Sequence, residues 1–509
     1  MGNTNDDLAI ELVGITKRFG QVVANKNINL AIPKGTIHGI VGENGAGKST
    51  LMSILYGFYR ADEGTIDVDG AQRDIRSSDD AIAAGIGMVH QHFMLVDNFT
   101  VLENVVLGAE GGFLLKNGLT KARAILEKLE RDYGLNVPLD AEIKDLAVGF
   151  QQRVEILKAL FRGADILILD EPTGVLTPAE ADHLFRILRQ LKDQGKTIIL
   201  VTHKLREIMA ITDNVSVMRQ GEIVATEETA KTSPEALAEL MVGRRVLLQV
   251  DKPPANPGRT VLEVKNLTVR DAAGVTRLDN VSLQVRAGEI TGVAGVAGNG
   301  QSELIEAITG LYPPSSGSIV VNNETLDANS DIRAHGMAHV PEDRHKMGLV
   351  MPFEAAENAI LGYQDDALYQ RSWFLDQAAI LADTVGKMDH FDIRPRDPRL
   401  KANLFSGGNQ QKLVLAREFE HNPDLLIVGQ PTRGVDIGAI EFIHKQLIEM
   451  RDTGKAILLI SVELDEIRAL SDRVLVMFAG KIAGERPPET SEGELGLLMA
   501  GASAEGKAA

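Results

Sequence analysis

The chain has 509 residues, which is too long for one hydrophobic core and fits two domains of about 250 residues each. Its 44% apolar and 24% charged residues are typical of a globular protein. The formal net charge is −18 and there is no run of basic residues, which argues against a nucleic-acid-binding surface. The sequence has no cysteine, so disulfides, thiol catalysis and cysteine-ligated metals are excluded.

The N-terminal segment, MGNTNDDLAIELVG, is polar and acidic and lacks the basic and apolar parts of a signal peptide. No apolar run reaches the roughly 18 residues needed to cross a membrane. The apolar stretches 198–201 and 456–460 are short enough to be buried parallel strands. We therefore expect a soluble, cytoplasmic chain.

Strands and helices alternate in the predicted elements of the first half. A strand over 36–41 precedes a helix that begins at Lys48, and an amphipathic helix covers 120–133. A buried strand follows over 166–169, and two strands around a Gln-Gly turn cover 214–226. This alternation predicts an α/β domain with a mostly parallel sheet.

A glycine-rich loop, GENGAGKS, lies between the first of these strands and its helix, and it matches the P-loop pattern. Glycines let backbone N–H groups turn inward around phosphates, and the helix N-terminus adds a favourable dipole. A chance glycine-rich turn is the alternative, which the strand–helix context disfavours. Lys48 is expected to contact the β- and γ-phosphates, and Ser49 to ligate Mg²⁺. The predicted ATP-binding residues of this loop are Gly42, Glu43, Asn44, Gly45, Ala46, Gly47, Lys48, Ser49 and Thr50.

Two acidic residues end the buried strand in ILILDEP. We predict that Asp170 holds Mg²⁺ and that Glu171 polarises the attacking water. Two acids at the end of an apolar run also fit an ordinary exit from a strand. The P-loop upstream favours the catalytic interpretation.

Three further residues complete the predicted first-half site. His203 follows the strand TIILVTHK and is placed to contact the γ-phosphate. Gln91, in MVHQHF, is expected to reach Mg²⁺ or the water from a mobile loop. Phe19, in KRFG just after the first strand, is placed to stack on adenine. Taken singly, a histidine after a strand is more often incidental, and a phenylalanine at the position of Phe19 more often belongs to the core.

The motifs of the first half recur in the same order in the second half, at offsets of 253 residues early and 259 late. Chance does not produce four collinear matches. We predict a first domain at 1–245, a proline-containing linker at 246–259, a second domain at 260–502 and a disordered tail at 503–509. The matching segments are 28–50 with 281–303, 146–160 with 405–419, 167–178 with 426–437, and 197–208 with 456–467.

This set of motifs resembles the ATP-binding-cassette ATPases over nearly the whole chain, once in each half. The most specific element is the signature loop FSGGNQ at 405–410. The resemblance implies two tandem P-loop NTPase domains, each with a mostly parallel core sheet, an antiparallel β region and a helical subdomain. In that family two cassettes pair head to tail, and each nucleotide lies between one P-loop and the other signature loop.

The second half differs from the first at every catalytic position on the P-loop side. It has therefore lost the phosphate-directed charge, the metal-holding acid and the base. The replacements are Gln301 for Lys48, Gly429 for Asp170, Gln430 for Glu171, Val462 for His203 and Asp271 for Phe19, with Glu342 standing roughly where Gln91 does.

The signature loops differ in the opposite sense, since the first half has Ala147 where the second keeps Ser406. Asp436 likewise corresponds to Thr177. Head-to-tail pairing within one chain then implies one competent composite ATP site and one degenerate site. Independent drift at each motif is the alternative, and it does not predict so clean a split. The second half is expected to contribute Ser406, Gly407, Gly408, Gln410 and Asp436.

Two fused cassettes, a GQPTRGVD loop and a VPEDR segment resemble the ATPases of simple-sugar and nucleoside importers. Segment 89–108 is closer to the nucleoside branch. The resemblance implies ATP and Mg²⁺ as cofactors. It also implies two membrane-spanning permease subunits, docked through the segments around 91–110 and 342–362, and an extracytoplasmic substrate-binding protein. The chain is then expected at the cytoplasmic face of the inner membrane as a peripheral subunit, without nucleic acid.

Two other functions fit the same chemistry. A soluble twin-cassette factor acting on ribosomes or nucleic acid is disfavoured by the short linker, the degenerate site and the acidic balance. An exporter ATPase has less support from the second-half motifs.

Overall fold

The computed structural model describes residues 7–20, 22–90, 93–108, 115–174, 176–245, 251–327, 330–435 and 437–501. The chain divides into two compact units, Met1–Val246 and Leu247–Ala509. Residues 251–259 of the predicted linker are neither helix nor strand. Lys252 nevertheless donates from Nζ to the Ser471 carbonyl at 2.5 Å, so this segment is tied to the second unit. Residues 246–250 and the predicted tail at 503–509 lie outside the described residues.

The first unit alternates strands and helices as predicted. Its elements are β1 (Leu8–Phe19), β2 (Val22–Pro33), β3 (Ile37–Gly42), α1 (Lys48–Leu55), β4 (Glu63–Val68), β5 (Ala71–Arg73), α2 (Ser78–Ala83), β6 (Ile86–Val89), α3 (Val101–Val106), α4 (Leu115–Tyr133), α5 (Val148–Phe161), β7 (Ile166–Asp170), α6 (Pro178–Asp193), β8 (Thr197–Val201), α7 (Leu205–Ile211), β9 (Asn214–Arg219), β10 (Glu222–Glu228) and α8 (Pro234–Val242).

Two sheets of the described residues form the first unit. One has the order β2-β1-β4-β5 with antiparallel pairing. The other has the order β10-β9-β3-β8-β7-β6, parallel except for β9 with β10. Strands β3, β7 and β8 are buried along their whole length, because a parallel strand packs on both faces. The carboxyl ends of these three strands therefore meet at one edge, where the P-loop begins.

The second unit repeats the succession. Its elements are β11 (Thr260–Arg270), β12 (Thr276–Arg286), β13 (Glu289–Ala294), α9 (Gln301–Ile308), β14 (Ser316–Val321), β15 (Glu324–Thr325), β16 (Met337–Val340), α10 (Ala355–Ala359), β17 (Gln370–Arg371), β18 (Phe374–Leu375), α11 (Gln377–His390), α12 (Gly407–Phe419), β19 (Leu425–Gly429), α13 (Ile437–Asp452), β20 (Ala456–Ser461), α14 (Leu464–Leu470), β21 (Arg473–Phe478), β22 (Lys481–Arg486) and α15 (Glu492–Met499).

Its sheets have the orders β12-β11-β14-β15 and β16-β19-β20-β13-β21-β22, which match those of the first unit. The register also matches, since His38 pairs with Ile199 and its counterpart Thr291 pairs with Leu458. The family resemblance predicted this fold correctly. The largest boundary difference is α4, which begins at Leu115 and not at 120.

A small hairpin interrupts the second helical region. It is formed by β17 and β18, which pair antiparallel. Its turn contains Ser372 with a φ of 60° and Trp373, whose side chain is 92% exposed. Phe374 beside it is 79% exposed. The chain's single tryptophan therefore lies on the surface and not in a core.

Within the described residues, no helix combines the length and apolar character needed to cross a membrane.

Candidate active site

The P-loop of the first unit connects β3 to α1 and depends on glycine at two positions. Gly45 and Gly47 have φ values of 82° and 98°, in the left-handed region that favours glycine. A Cβ on Gly47 would lie 2.3 Å from the Ala24 carbonyl oxygen, so a side chain cannot be accommodated there. The chain thus enters α1 with a tight turn around the helix N-terminus, which is the geometry that binds phosphate.

Lys48 is the first residue of α1, and its side chain is buried. Its Nζ donates to the Gly42 carbonyl at 2.6 Å and to the Glu43 carbonyl at 3.1 Å. Burial lowers the pKa of Lys48, while the charges of Glu171 and Asp170 act in the opposite direction. The ammonium group therefore lies within the loop, in the field of both predicted catalytic acids.

Asp170 ends β7 and is 9% exposed. Burial and then the negative charge of Glu171 raise the pKa of Asp170. Lys48 and a hydrogen bond with Ser49 offset part of that shift. The Ser49 hydroxyl and the Asp170 carboxylate are therefore neighbours. Hard oxygen donors of this kind suit Mg²⁺, and a divalent cation would relieve the repulsion between the two acids.

Glu171 has a φ of 47°, an unusual backbone conformation for a residue other than glycine. Its N–H donates to the Val201 carbonyl at 2.8 Å, which fixes the turn against β8. One carboxylate oxygen, Oε1, lies 2.8 Å from Nδ1 of His203. This hydrogen bond lowers the pKa of Glu171, although burial acts in the opposite direction. The contact with His203 therefore favours the ionised form of the Glu171 carboxylate.

Phe19 is the last residue of β1 and not a loop residue after it. The ring is 43% exposed and meets Tyr59 edge to face, with 5.1 Å between ring centroids. The exposure excludes the core alternative, and Nζ of Lys17 lies over the ring, 5.5 Å from its centroid. Gln91, the remaining predicted residue of this half, lies outside the described residues.

The second unit keeps the backbone of this site. Gly298 and Gly300 have φ values of 86° and 105°, close to those of the first loop. Gln301 replaces the lysine, and its Nε2 donates to the Val296 carbonyl at 3.1 Å. Gln430 has the same φ of 47° as Glu171, and its Oε1 accepts from the Val462 N–H at 3.3 Å. The backbone conformation of the site is thus retained, while the charges of Lys48 and Glu171 have no counterpart at Gln301 and Gln430.

The position of Phe19 is also altered in the second unit. Asp271 accepts hydrogen bonds from the N–H groups of Ala273 and Val275 and from Nε of Arg277. The carboxylate therefore organises a local turn and offers no aromatic face to a base.

The second-unit signature loop begins α12. Ser406 is the N-cap residue, and its hydroxyl accepts from the Asn409 side chain at 2.8 Å. Gln410 donates to the carbonyls of Ala402 and Phe405, which holds the loop against its helix. Gly407 has no room for a side chain, since a Cβ would lie 2.9 Å from the Gly434 carbonyl. Gly408 is buried in the first turn of the helix.

The corresponding first-unit loop lacks these features. Ala147 is the N-cap residue of α5 and makes no side-chain cap. Thr177 caps α6 in a reciprocal arrangement with Glu180. Its counterpart in the second unit, Asp436, lies outside the described residues.

Arg344 is a residue near this loop that the sequence did not single out. Its guanidinium donates to the Arg433 carbonyl at 2.7 Å and approaches Oε1 of Gln410 at 3.4 Å. It therefore links the signature helix to the loop after β19. Its place in VPEDR, two residues after Glu342, is the sequence signal that could have indicated it.

Comparison with known families agrees with this geometry. The ABC transporter model matches residues 25–174 and 278–433, which together are more than half of the chain. The chain belongs to the ABC transporter family. Each match includes a P-loop and the turn after the DEP-type strand. As a member of this family, the protein binds ATP and is an ATPase.

Several relatives match this chain over nearly their whole length. The nucleoside import ATP-binding protein NupA of Lactococcus lactis subsp. cremoris is 50% identical, covering 97% of this chain and 99% of the relative. The guanosine import ATP-binding protein NupO of Bacillus subtilis is 49% identical over 98% of each chain. A ribose import ATP-binding protein, RbsA 1, of Burkholderia thailandensis is 41% identical over 94% of each.

A solved structure was also matched. A nucleotide-free ATP-binding cassette from an ABC transporter is 26% identical, covers 45% of this chain and 97% of its own, and has a TM-score of 0.40.

Proposed function

We propose that this protein is the ATP-hydrolysing subunit of an importer that takes up a nucleoside or a simple sugar. The observation that carries the proposal is full-length similarity to import ATP-binding proteins. The relatives named for a nucleoside and for guanosine are 50% and 49% identical, whereas one named for glucose is 44% identical. This order favours a nucleoside as the transported compound.

The proposed chemistry uses the first-unit residues in separate roles. Lys48 and the loop amides bind the phosphates, and Ser49 and Asp170 hold Mg²⁺, joined by Gln91. Glu171 accepts the proton of the attacking water, and His203 orients that carboxylate. The 2.8 Å contact between Glu171 and His203 supports this assignment. The magnesium ion would supply charge neutralisation at the β- and γ-phosphates.

We further propose that the competent site draws on both halves. The intact P-loop side is in the first half and the intact signature loop, with Ser406, is in the second. Head-to-tail pairing within one chain collects these parts in one site, together with Asp436. If two first halves paired between chains, Lys48 would face Ala147 and Ser406 would have no function.

Docking on permease subunits is proposed through the segments around 91–110 and 342–362. A cavity of about 180 Å³ in the first unit lies beside the first segment. Its walls include Phe58 and His90, whose rings stack at 5.5 Å, and Met94, which is 59% exposed. Lys158 supports this wall by donating to the Met94 carbonyl at 3.0 Å. A concave surface that combines apolar side chains with Glu155, Lys158 and Arg162 suits an inserted amphipathic side chain of a partner.

The proposed assembly also contains an extracytoplasmic substrate-binding protein, with the ATPase as a peripheral subunit at the cytoplasmic face of the inner membrane. The soluble alternative, a factor acting on ribosomes or nucleic acid, is not favoured by any relative described above.

Purification of the membrane complex with its binding protein tests the function. We expect nucleosides to raise the thermal unfolding midpoint of the binding protein and to stimulate ATPase activity of the reconstituted complex. Stabilisation by pentoses or hexoses alone would reassign the substrate to sugars. Co-sedimentation of the ATPase with ribosomes and not with membranes would overturn the importer proposal.

A further inference from the structure

The second unit has a three-residue insertion between β16 and α10. Val89 ends β6 and pairs with β7, and Val340 ends β16 and pairs with β19 in the same register. Val96 and Val350 are also equivalent, because the N–H of each donates to the asparagine side chain of the following helix, at 2.7 and 2.8 Å. The two valines are seven residues apart in the first unit and ten apart in the second. The shorter first-half segment, HQHFM at 90–94, contains no arginine.

The insertion forms a single π-helical turn, Arg344–Gly348. At its start, the Asp343 carboxylate accepts from the N–H groups of His345 and Lys346 at 2.9 and 3.1 Å. At its end, the Leu349 N–H donates to the Arg344 carbonyl at 2.8 Å. Both ends of the turn are therefore fixed by hydrogen bonds. Isolated π-helical turns occur frequently at functional sites.

The Arg344 guanidinium bridges two loops of the second unit. Its two terminal nitrogens donate to the loop after β19, to the Arg433 carbonyl at 2.7 Å and the Gly434 carbonyl at 3.4 Å. Its Nε approaches Oε1 of Gln410, the last residue of the signature loop, at 3.4 Å. Nε2 of His345 lies 2.8 Å from the same oxygen. A planar fork of donors suits this bridge, and a lysine ammonium does not reproduce it.

Two glycines leave room for the guanidinium. A Cβ on Gly407 would lie 2.8 Å from Nη2 of Arg344, and a Cβ on Gly434 would lie 3.4 Å from it. The first half has valine at both positions, Val148 and Val175. A valine at position 407 would displace the guanidinium. The arginine and the two glycines thus occur together in the half that keeps the intact signature loop.

The stability of the signature helix does not explain the position of this guanidinium. Gly407 is the first residue of α12, and positive charge beside a helix N-terminus is unfavourable. Burial lowers the pKa of Arg344, Asp343 opposes that shift, and Arg433 adds to it. A cation retained at an unfavourable position indicates a role in the function of the loop.

We propose that Arg344 is a positioning residue of the ATPase reaction, which holds the signature loop and the loop after β19 together as one surface facing the nucleotide. This inference rests on the proposed composite site, in which these loops present Ser406 and Asp436 to the first P-loop. The guanidinium acts through the Arg433 carbonyl and Gln410 and not on the phosphates. A misplacement of about 1 Å in such a surface can lower a rate by about 10²-fold.

ATPase kinetics of the reconstituted complex test this role. Arg344→Ala should lower kcat by roughly 10- to 100-fold while KM for ATP changes little, because nucleotide binding at the first P-loop is untouched. Arg344→Lys keeps the charge but not the planar fork, so it should recover only part of the lost rate. Arg399→Ala removes an exposed arginine of the same unit. It is the matched control and should have the kcat and thermal midpoint of the parent.

Thermal midpoints and a parallel variant separate the possible outcomes. A loss of kcat that equals the loss of folded protein would overturn the proposal, as would full recovery by Arg344→Lys. Activity lost in Ser406→Gly but kept in Arg344→Ala would overturn the role of Arg344 alone. Activity kept in both variants would overturn the composite site as well. The readout is ATP hydrolysis and not uptake, so it does not depend on which compound is transported.

Discussion

Glu171 and Gln430 have the same φ of 47°, and the N–H of each donates at 2.8 Å to the neighbouring strand, at Val201 and Ile460 respectively. The two units therefore differ at this position in the side chain and not in the backbone. A carboxylate held by His203 can accept a proton, whereas an amide held by the Val462 N–H cannot.

Glu171→Gln is expected to abolish steady-state ATP hydrolysis while ATP affinity changes little, because it removes a base and not a phosphate contact. General-base loss typically costs 10²- to 10⁴-fold in rate, about 3 to 5 kcal/mol of transition-state stabilisation. Phosphate release and nucleotide binding should be measured on the same preparation. Appreciable turnover in this variant would contradict the role given to Glu171.

Ser406 and Ala147 allow a test of the proposed pairing. Ser406→Gly should lower ATPase activity far more than Ala147→Ser changes it, because only Ser406 faces the competent P-loop in that pairing. Glycine is chosen because it retains most of an N-cap's stability, whereas alanine at this N-cap would cost about 1 kcal/mol. Initial rates and thermal midpoints are the measurements. Equal effects of the two substitutions would contradict pairing within one chain.

At the residue scale the sequence predicted which side chains differ between the halves, because motif alignment compares identities directly. It did not predict the Ser302–Glu342 bond, since that contact joins α9 to the loop after β16. Nor did it predict Arg344, whose partners Gln410 and Arg433 are distant along the chain. Such contacts depend on strand order, which local patterns do not encode.

At the scale of elements, the P-loop owes its shape to the strand beside it. Gly47 lies against the Ala24 carbonyl of β2, whereas a Cβ on Gly45 would meet nothing within 4 Å. The two glycines have similar φ values, so they share the conformational requirement and differ in packing.

Gly47→Ala should therefore abolish tight ATP binding at the first site, because the new Cβ displaces either β2 or the start of α1. Gly45→Ala is the matched control. An alanine at position 45 destabilises the loop by roughly 1 kcal/mol, because its φ is in the left-handed region. This variant should therefore retain measurable ATP binding. Titration with a fluorescent ATP analogue compares the two. Similar losses in both variants would show that φ alone, and not the contact with Ala24, governs the loop.

The elements themselves were largely predictable. Strands β7 and β8 are uninterrupted apolar runs, and such runs indicate buried parallel strands. The antiparallel layer of β1, β2, β4 and β5 was predicted only from the family resemblance. Several of these strands are half exposed and pair with an irregular register, so their residue pattern is weak. The β17–β18 hairpin was not predicted, since its two-residue strands are too short to show a period.

At the scale of the whole molecule, the core sheet of each unit contains a histidine, His38 in β3 and His339 in β16. Burial lowers the pKa of His38 in β3 to about 4, and it lowers that of His339 in β16 to about 4 as well. The first unit has Met88 at the position of His339, and the second has Thr291 at the position of His38.

Both units should lose stability as the pH falls from 6.5 towards 4. In that window the unfolded chain binds a proton at each histidine that the folded chain excludes, so the free energy of unfolding decreases with acidification. Each histidine accounts for at most about 3 kcal/mol. His38→Thr and His339→Met each introduce the residue that stands at the equivalent position of the other unit. Both substitutions should reduce the change in the free energy of unfolding with pH. Urea unfolding between pH 7.5 and pH 5 measures the free energy of unfolding. The same pH dependence in the variants as in the parent would contradict a role for these two histidines.

The exposed hairpin tip has a practical consequence for spectroscopy. Because Trp373 is the single tryptophan and is 92% exposed, intrinsic fluorescence of the native protein should already resemble that of indole in water. Unfolding should then shift its emission very little, so circular dichroism is the better monitor of stability. The chain also contains no cysteine, so Trp373→Cys creates a unique attachment point for a dye. The hairpin gives little fluorescence change on unfolding. A dye attached at its tip would report the binding of a partner to that surface without background from other labelled sites.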